Sequence, residues 1–158
     1  LTEFVIIYIP SQLQYLIKKG GIHMKQLNWA TLGCGVIANE LAQALSKEGR
    51  TLYSVANRTH EKAQAFCTKN MAFQRYMTTL MTSFYDPDVD IIYISTPHNT
   101  HINYLRKALS NGKHVLCEKS ITLNITELDE AISLAKANNV ILAEAMTIYH
   151  MPVYKKVK

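Results

Sequence analysis

Short apolar runs alternate with segments of helical period through most of this chain, and that alternation limits the fold more than any other feature. The runs are Trp29–Leu32, Leu52–Ala56, Ile91–Ser95, His114–Cys117 and Val140–Ala143. Strands separated by helices pair in parallel through crossover connections, so the pattern predicts an α/β, doubly wound parallel sheet.

The intervening segments carry the helical signal. Ile37, Leu41, Ala44 and Leu45 form one apolar stripe, and Ile102, Leu105, Ala108 and Leu109 form a second that should stop at Asn111-Gly112. Leu128, Ala131, Ile132 and Ala135 form a third, with Thr126 and Asp129 read as the capping box that starts it. Between Met71 and Tyr85 the rhythm weakens, and a short strand at Phe73–Tyr76 with a helix from Thr79 is expected.

The chain has 158 residues, one domain at about 150 residues each, with 48% apolar and 18% charged residues, enough apolar side chain for a core. Lys and Arg outnumber Asp and Glu by 17 to 12, but the basic residues are scattered rather than gathered into a stripe, which argues against nucleic acid as a partner. Cys34, Cys67 and Cys117 are an odd count without C-x-x-C spacing, so neither a disulfide framework nor a zinc knuckle is expected and a reducing, cytoplasmic compartment is. The apolar stretch Phe4–Ile9 is too short to span a membrane and follows Glu3 rather than a basic residue, unlike a secretory signal.

Residues 1–23 do not continue the pattern. Lys19-Gly20-Gly21 can be encoded by AAA-GGA-GGT, a bacterial ribosome-binding sequence, just upstream of Met24, so the natural start is expected at Met24 and the preceding residues are read as a non-native or upstream-translated extension. The alternative is an edge strand at Phe4–Ile9 followed by a linker.

The chemistry centres on Gly33-Cys34-Gly35-Val36-Ile37-Ala38, a G-x-G-x-x-A loop between the first regular strand and its helix. The first glycine makes the tight turn, the second lets a pyrophosphate reach the backbone, and the small Ala38 lets helix and sheet pack closely. Free N–H groups and the helix dipole would hold the phosphates, with Gly33, Gly35, Val36 and Ile37 as cofactor contacts in a Rossmann-type domain over 24–146.

The second strand ends in Ala56-Asn57-Arg58-Thr59, where an NAD-binding chain would usually carry a carboxylate for the ribose 2′-hydroxyl. Arg58 could pair with a 2′-phosphate or stack on adenine, with Asn57 and Thr59 as hydrogen-bond partners; the alternative is a solvated Arg58 beside a Thr59 helix cap. The reading favours NADP and leaves NAD open.

Beyond it come Ser95-Thr96-Pro97-His98-Asn99-Thr100-His101, Gly112-Lys113-His114-Val115-Leu116-Cys117-Glu118-Lys119 and Glu144-Ala145-Met146. With the glycine loop, Ala56-Asn57-Arg58 and Asp86-Pro87-Asp88-Val89-Asp90, these resemble the Gfo/Idh/MocA oxidoreductases from about Trp29 to Val157. The resemblance implies a first domain that binds NAD(P), and a second α/β domain that supplies much of the substrate pocket and the oligomer interface. That second domain is expected to lie outside this chain, with residues 147–158 starting the connection to it and Met151–Lys158 beginning a helix. The full-length parent is then expected to be a homo-oligomer.

The same resemblance implies that Thr96, Pro97, His98 and His101 line the nicotinamide end of the cofactor, and Glu144 is counted with the cofactor contacts. It further implies that Glu118 approaches the nicotinamide ribose and that Lys119 is the active-site lysine. An ammonium beside cofactor and substrate can polarise a carbonyl or share in proton transfer. The implied activity is hydride transfer between a nicotinamide and a sugar, polyol or related alcohol/carbonyl pair, the alternative being a dinucleotide-binding module without chemistry. Ser120 stands where the family has proline, so the fixed φ that follows the lysine is missing.

Several residues keep a second reading. Lys119 could be a surface lysine and Glu144 a structural carboxylate; Cys34 and Cys117 are read as buried packing residues, the alternative being reactive thiols. His98 and His101 have ligand spacing, but no neighbouring carboxylate or thiolate completes a metal site, and none is expected.

Overall fold

A computed structural model describes residues 5–8, 27–70, 75–77, 80–146 and 156. Seven strands form one sheet in the order β1-β7-β6-β5-β2-β3-β4. The strands are β1 (Val5–Tyr8), β2 (Trp29–Leu32), β3 (Ser54–Ala56), β4 (Arg75–Met77), β5 (Ile91–Ile94), β6 (His114–Glu118) and β7 (Leu142–Ala145). Every neighbouring pair from β7 to β4 is parallel, while β1 runs antiparallel to β7 with Val5 opposite Glu144. This is the doubly wound arrangement the alternation predicts, with an edge strand at Val5–Tyr8 where the alternative reading of that stretch has one.

Helices α1 (Val36–Lys47), α2 (His60–Asn70), α3 (Thr82–Tyr85), α4 (His101–Ser110) and α5 (Ile125–Ala137) make the crossovers, and a 3-10 turn at His98–Thr100 leads into α4. The side-chain period of two splits each strand between two cores. Ala30, Leu32, Ile92, Ile94, Val115 and Cys117 pack with Leu105 and Leu109 of α4 and Ala131 and Ala135 of α5. Trp29, Val55, Tyr93 and Leu116 pack on the other face with Ala38, Leu41 and Leu45 of α1 and Phe66 of α2.

The α4 stripe buries as read, and Asn111 and Gly112, at φ 69°, close that helix. On α1 the buried face is Ala38, Leu41, Ala42 and Leu45, rotated from the expected stripe so that Ile37 is 43% exposed. Helix α5 begins two residues before the expected box: Asn124 Oδ1 accepts from the Glu127 N–H at 3.0 Å, and Glu127 Oε2 accepts from the Leu123 N–H at 3.1 Å. Asn124 is the cap because its backbone is extended, whereas Thr126 already lies inside the helix.

Other boundaries move, and β3 starts at Ser54 rather than Leu52. The strand expected at Phe73–Tyr76 is β4, Arg75–Met77, Phe73 lying outside the described residues, and the helix expected from Thr79 is α3, from Thr82. The last strand starts at Leu142 rather than Val140, because the Val140 N–H is still closing α5 on the Ala135 carbonyl and the Ile141 N–H is taken by His114 Nδ1. The helix expected at Met151–Lys158 lies outside the described residues apart from residue 156. Among the described residues, no helix is long and apolar enough to cross a membrane.

Candidate functional site

The sheet order reverses at β2, which has its chain successor β3 on one side and β5 on the other. The turns leaving β2 and β5 therefore diverge at their C-terminal ends and open a crevice there. Gly33 makes the first turn at φ 109°, a left-handed conformation that glycine adopts without penalty. Its N–H donates to the Ala56 carbonyl at 2.9 Å, and across the crevice the Ser95 N–H donates to the Leu32 carbonyl at 2.9 Å.

The turn hands over directly to α1. Gly35 is its N-cap, with no side-chain cap and no acidic residue in the first turn. The N–H groups that open a helix have no intrahelical acceptor, and the dipole there is positive, so this end suits an anion. A Cβ added to Gly35 would meet nothing within 4 Å, which leaves the backbone open to a bulky ligand.

The crevice has two adjoining hollows. The first, about 410 Å³, is lined by the glycine turn, Asn57, Arg58, Thr59 and Lys62 on one side and Thr96, Pro97 and Tyr104 on the other. Asn57 Oδ1 accepts from the Thr59 N–H at 3.0 Å, fixing the bend that leads into α2 and leaving Arg58 and Thr59 exposed at its mouth. The Asn57 amide also bonds the Cys34 thiol, whose ionisation burial pushes up against that bond and the Lys62 charge.

The second hollow, about 260 Å³, is lined by Gly35, Val36, Ile37, Thr96, His98, Glu118 and Lys119. The structure thus brings Glu118 and Lys119 beside the start of α1, with Lys119 exposed. The peptide between Lys119 and Ser120 is cis.

Two expected cofactor contacts line neither hollow. His101 is fully buried, one ring nitrogen 2.8 Å from the Thr96 carbonyl and the other 3.0 Å from the Ser120 carbonyl, so it ties the β5 turn to the lysine turn. Glu144 accepts the Ile121 N–H at 2.8 Å and holds the same lysine turn from β7. His98 meets the His101 ring edge-on at 5.5 Å. Among the described residues, no cluster of His, Cys, Asp or Glu could hold a metal ion.

Other parts of the shared pattern serve the scaffold. Lys113 is buried and donates to the carbonyls of Asp86 at 2.6 Å and Val89 at 2.8 Å, and burial lowers its pKa. Asp90 accepts the Asn28 N–H at 2.8 Å. Cys117 is buried, and burial raises its pKa, as suits a packing residue.

Lys62 and Tyr93 are absent from the residues read off the sequence. Lys62 lies in the first turn of α2, its N–H donating to the Thr59 carbonyl, and a second cation so soon after Arg58 could have flagged it. Tyr93 sits mid-strand among apolar neighbours, and no local pattern separates its hydroxyl from the core.

The family model described as "Oxidoreductase family, NAD-binding Rossmann fold" matches residues 27–146. Trans-1,2-dihydrobenzene-1,2-diol dehydrogenase of Xenopus tropicalis is 32% identical over 133 residues, which is 82% of this chain and 40% of that protein. The scyllo-inositol 2-dehydrogenase (NADP(+)) IolU of Bacillus subtilis is 34% identical over 133 residues, 84% of this chain and 40% of that protein. Among solved structures, KijD10, a 3-ketoreductase from Actinomadura kijaniata in complex with NADP and TDP-benzene, superposes with a TM-score of 0.78 at 24% identity, over 84% of this chain and 41% of that one. The chain thus spans about two fifths of the length of these relatives. A doubly wound sheet, a glycine turn at its switch point and a family match over residues 27–146 agree: the chain belongs to the Gfo/Idh/MocA oxidoreductase family, as its NAD(P)-binding Rossmann domain.

Proposed function

We propose that the chain is the cofactor-holding part of a dehydrogenase or reductase that moves hydride between NADP and a sugar, polyol or related alcohol/carbonyl pair. The observation that carries the cofactor preference is the mouth of the larger hollow, where Arg58 and Lys62 stand together and the turn after β3, Asn57-Arg58-Thr59, carries no carboxylate. A 2′-phosphate would meet two cations there, whereas the carboxylate that would select a 2′-hydroxyl is missing.

The chain's own groups divide the work. The start of α1 holds the diphosphate, Arg58 and Lys62 hold the adenosine phosphate, and Thr96, Pro97 and His98 border the nicotinamide end. A bound nicotinamide supplies the hydride chemistry itself. Glu118 accepts from its ribose, and Lys119 holds the reacting oxygen by hydrogen bond and charge, stabilising the alkoxide character that grows there. The names of the two curated relatives, a diol dehydrogenase and an inositol dehydrogenase, support a polyhydroxylated substrate. The free thiols Cys34, Cys67 and Cys117 support a cytoplasmic site of action.

Titrating the chain with NADPH and NADH, reading nicotinamide fluorescence, tests the cofactor reading: tighter binding of NADPH is expected, and no binding of either removes it. Adding polyols with NADP and following reduced-nicotinamide absorbance tests the activity. Turnover that disappears in Lys119→Ala supports the enzyme, and binding with no turnover leaves the module without chemistry.

A further inference from the structure

Tyr93 lies at the centre of the sheet, opposite Thr31 of β2 and Leu116 of β6, and is 3% exposed. Its ring fills the core layer beneath α1 with Trp29, Ala38 and Leu41, a place a wholly apolar side chain would serve as well. What the phenol adds is its hydroxyl, which donates to Glu118 Oε1 at the rim of the sheet. Removing a hydroxyl from water is unfavourable unless it is bonded, and a bond to a carboxylate is the stronger kind. Burial and the neighbouring Glu118 both raise the Tyr93 pKa, so the phenol stays a donor.

We propose that Tyr93 is a positioning residue: it fixes one oxygen of Glu118 from inside the core and so aims that carboxylate into the hollow between the start of α1 and Lys119. The ligand group it serves is a vicinal diol, the nicotinamide ribose of the dinucleotide, so the inference rests on the dinucleotide reading above. Carboxylate side chains at strand ends have several rotamers, and an anchor from below selects one before the ligand arrives. Glu118 lines the hollow together with Gly35 and Lys119, which places the anchored carboxylate at the nicotinamide end and away from Arg58 and Lys62.

The test separates the two ends of the cofactor. Tyr93→Phe removes one oxygen and keeps the ring in its core layer. The variant is expected to bind NADPH about 10-fold more weakly, the scale of one lost bond to a charged group, while 2′,5′-ADP, which has no nicotinamide ribose, binds within about twofold of the parent. In a Glu118→Ala background, which offers the phenol no acceptor, the same Tyr93→Phe change should weaken NADPH by less than about twofold, since the pair no longer acts as a unit. Glu118→Asp, which draws the carboxylate back from the hydroxyl while leaving Tyr93 intact, should reproduce the selective loss and serves if Tyr93→Phe fails to fold. Equal weakening of NADPH and 2′,5′-ADP, unchanged binding of both, or an undiminished effect in the Glu118→Ala background would overturn the proposal. If the parent chain binds neither ligand, the dinucleotide reading itself fails; if it binds both and only the cycle is flat, the role of Tyr93 alone fails.

Discussion

Gly33 packs so tightly under Ser95 that a Cβ added to it would lie 2.7 Å from the Ser95 carbonyl oxygen. The neighbour is backbone of the adjoining strand end and has nowhere to go. Gly35, two residues on, has an ordinary φ of −75° and open space where its Cβ would be. The two glycines therefore do different jobs.

Substituting each with alanine should separate those jobs. Gly33→Ala combines a left-handed φ with a backbone clash and is expected to destabilise the chain by about 2–4 kcal/mol in urea denaturation. Gly35→Ala should cost no more than about 1 kcal/mol, the scale of a poorer N-cap, because the site is exposed and its φ is unstrained. It should nevertheless lose at least about 10-fold in NADPH affinity, because the methyl stands where the diphosphate approaches the helix start. Urea curves and fluorescence titration of both variants check this, and equal stability losses would contradict it.

His101 should matter for stability first. Its ring serves the carbonyls of Thr96 and Ser120 from a fully buried position. His101→Ala removes both ring contacts and leaves a void, for an expected cost of about 2–4 kcal/mol by urea denaturation. Asn103, on the exposed face of the same helix, provides the control: Asn103→Ala should change stability by less than about 0.5 kcal/mol.

Arg58 and Lys62 should set cofactor choice without affecting the fold. Both are exposed at the mouth of the larger hollow. Arg58→Ala is expected to weaken NADPH by about 10- to 100-fold and NADH by less than about 3-fold, with Lys62→Ala acting in the same direction more weakly. The NADPH advantage proposed for the parent should also shrink as salt is raised, since exposed charges are screened. Parallel titrations at low and high salt measure both effects.

His114 gives the fold an acid-sensitive point. Burial lowers its pKa below 6.5, opposed by the Asp90 charge, and its Nδ1 accepts the Ile141 N–H at 2.9 Å, which only the unprotonated nitrogen can do. The unfolded chain then binds the proton more readily than the folded one, so the His114 contribution is complete above pH 6.5 and is lost as pH falls through the lowered folded value. Thermal midpoints from neutral to mildly acid pH should fall more steeply for the parent than for His114→Gln, which keeps an acceptor that does not titrate.

The fold was legible because its signals are local. The strand Trp29–Leu32 and the buried α4 stripe follow from runs and periods within a dozen residues, and the glycine turn follows from its place between a strand and a helix. What escaped was decided by contacts distant in sequence. The start of β7 is set by His114, 27 positions from Ile141, and Tyr93 meets Glu118 across 25 positions. The α5 cap lies two residues before the expected one because Asn124 and Thr126 both begin plausible boxes, and only the extended backbone at Asn124 separates them. Of the contacts that the family resemblance implies, Lys119 and Glu118 share a hollow with the glycine turn, whereas His101 and Glu144 bond the backbone of the turns that shape it.

The central place of β2 also dictates an order of assembly. Its partner on one side, β5, lies 62 positions further along, with Trp29 beside Ile91. A chain emerging from the ribosome can join β2 to β3 early, but the strand stays half-paired until Ile94 has been synthesised. Closing so long a loop carries an entropic cost that slows the search for the native pairing. The switch point that shapes the crevice therefore forms only once β5 has been made, and a nascent chain arrested before β5 would have a glycine turn with no opposite wall.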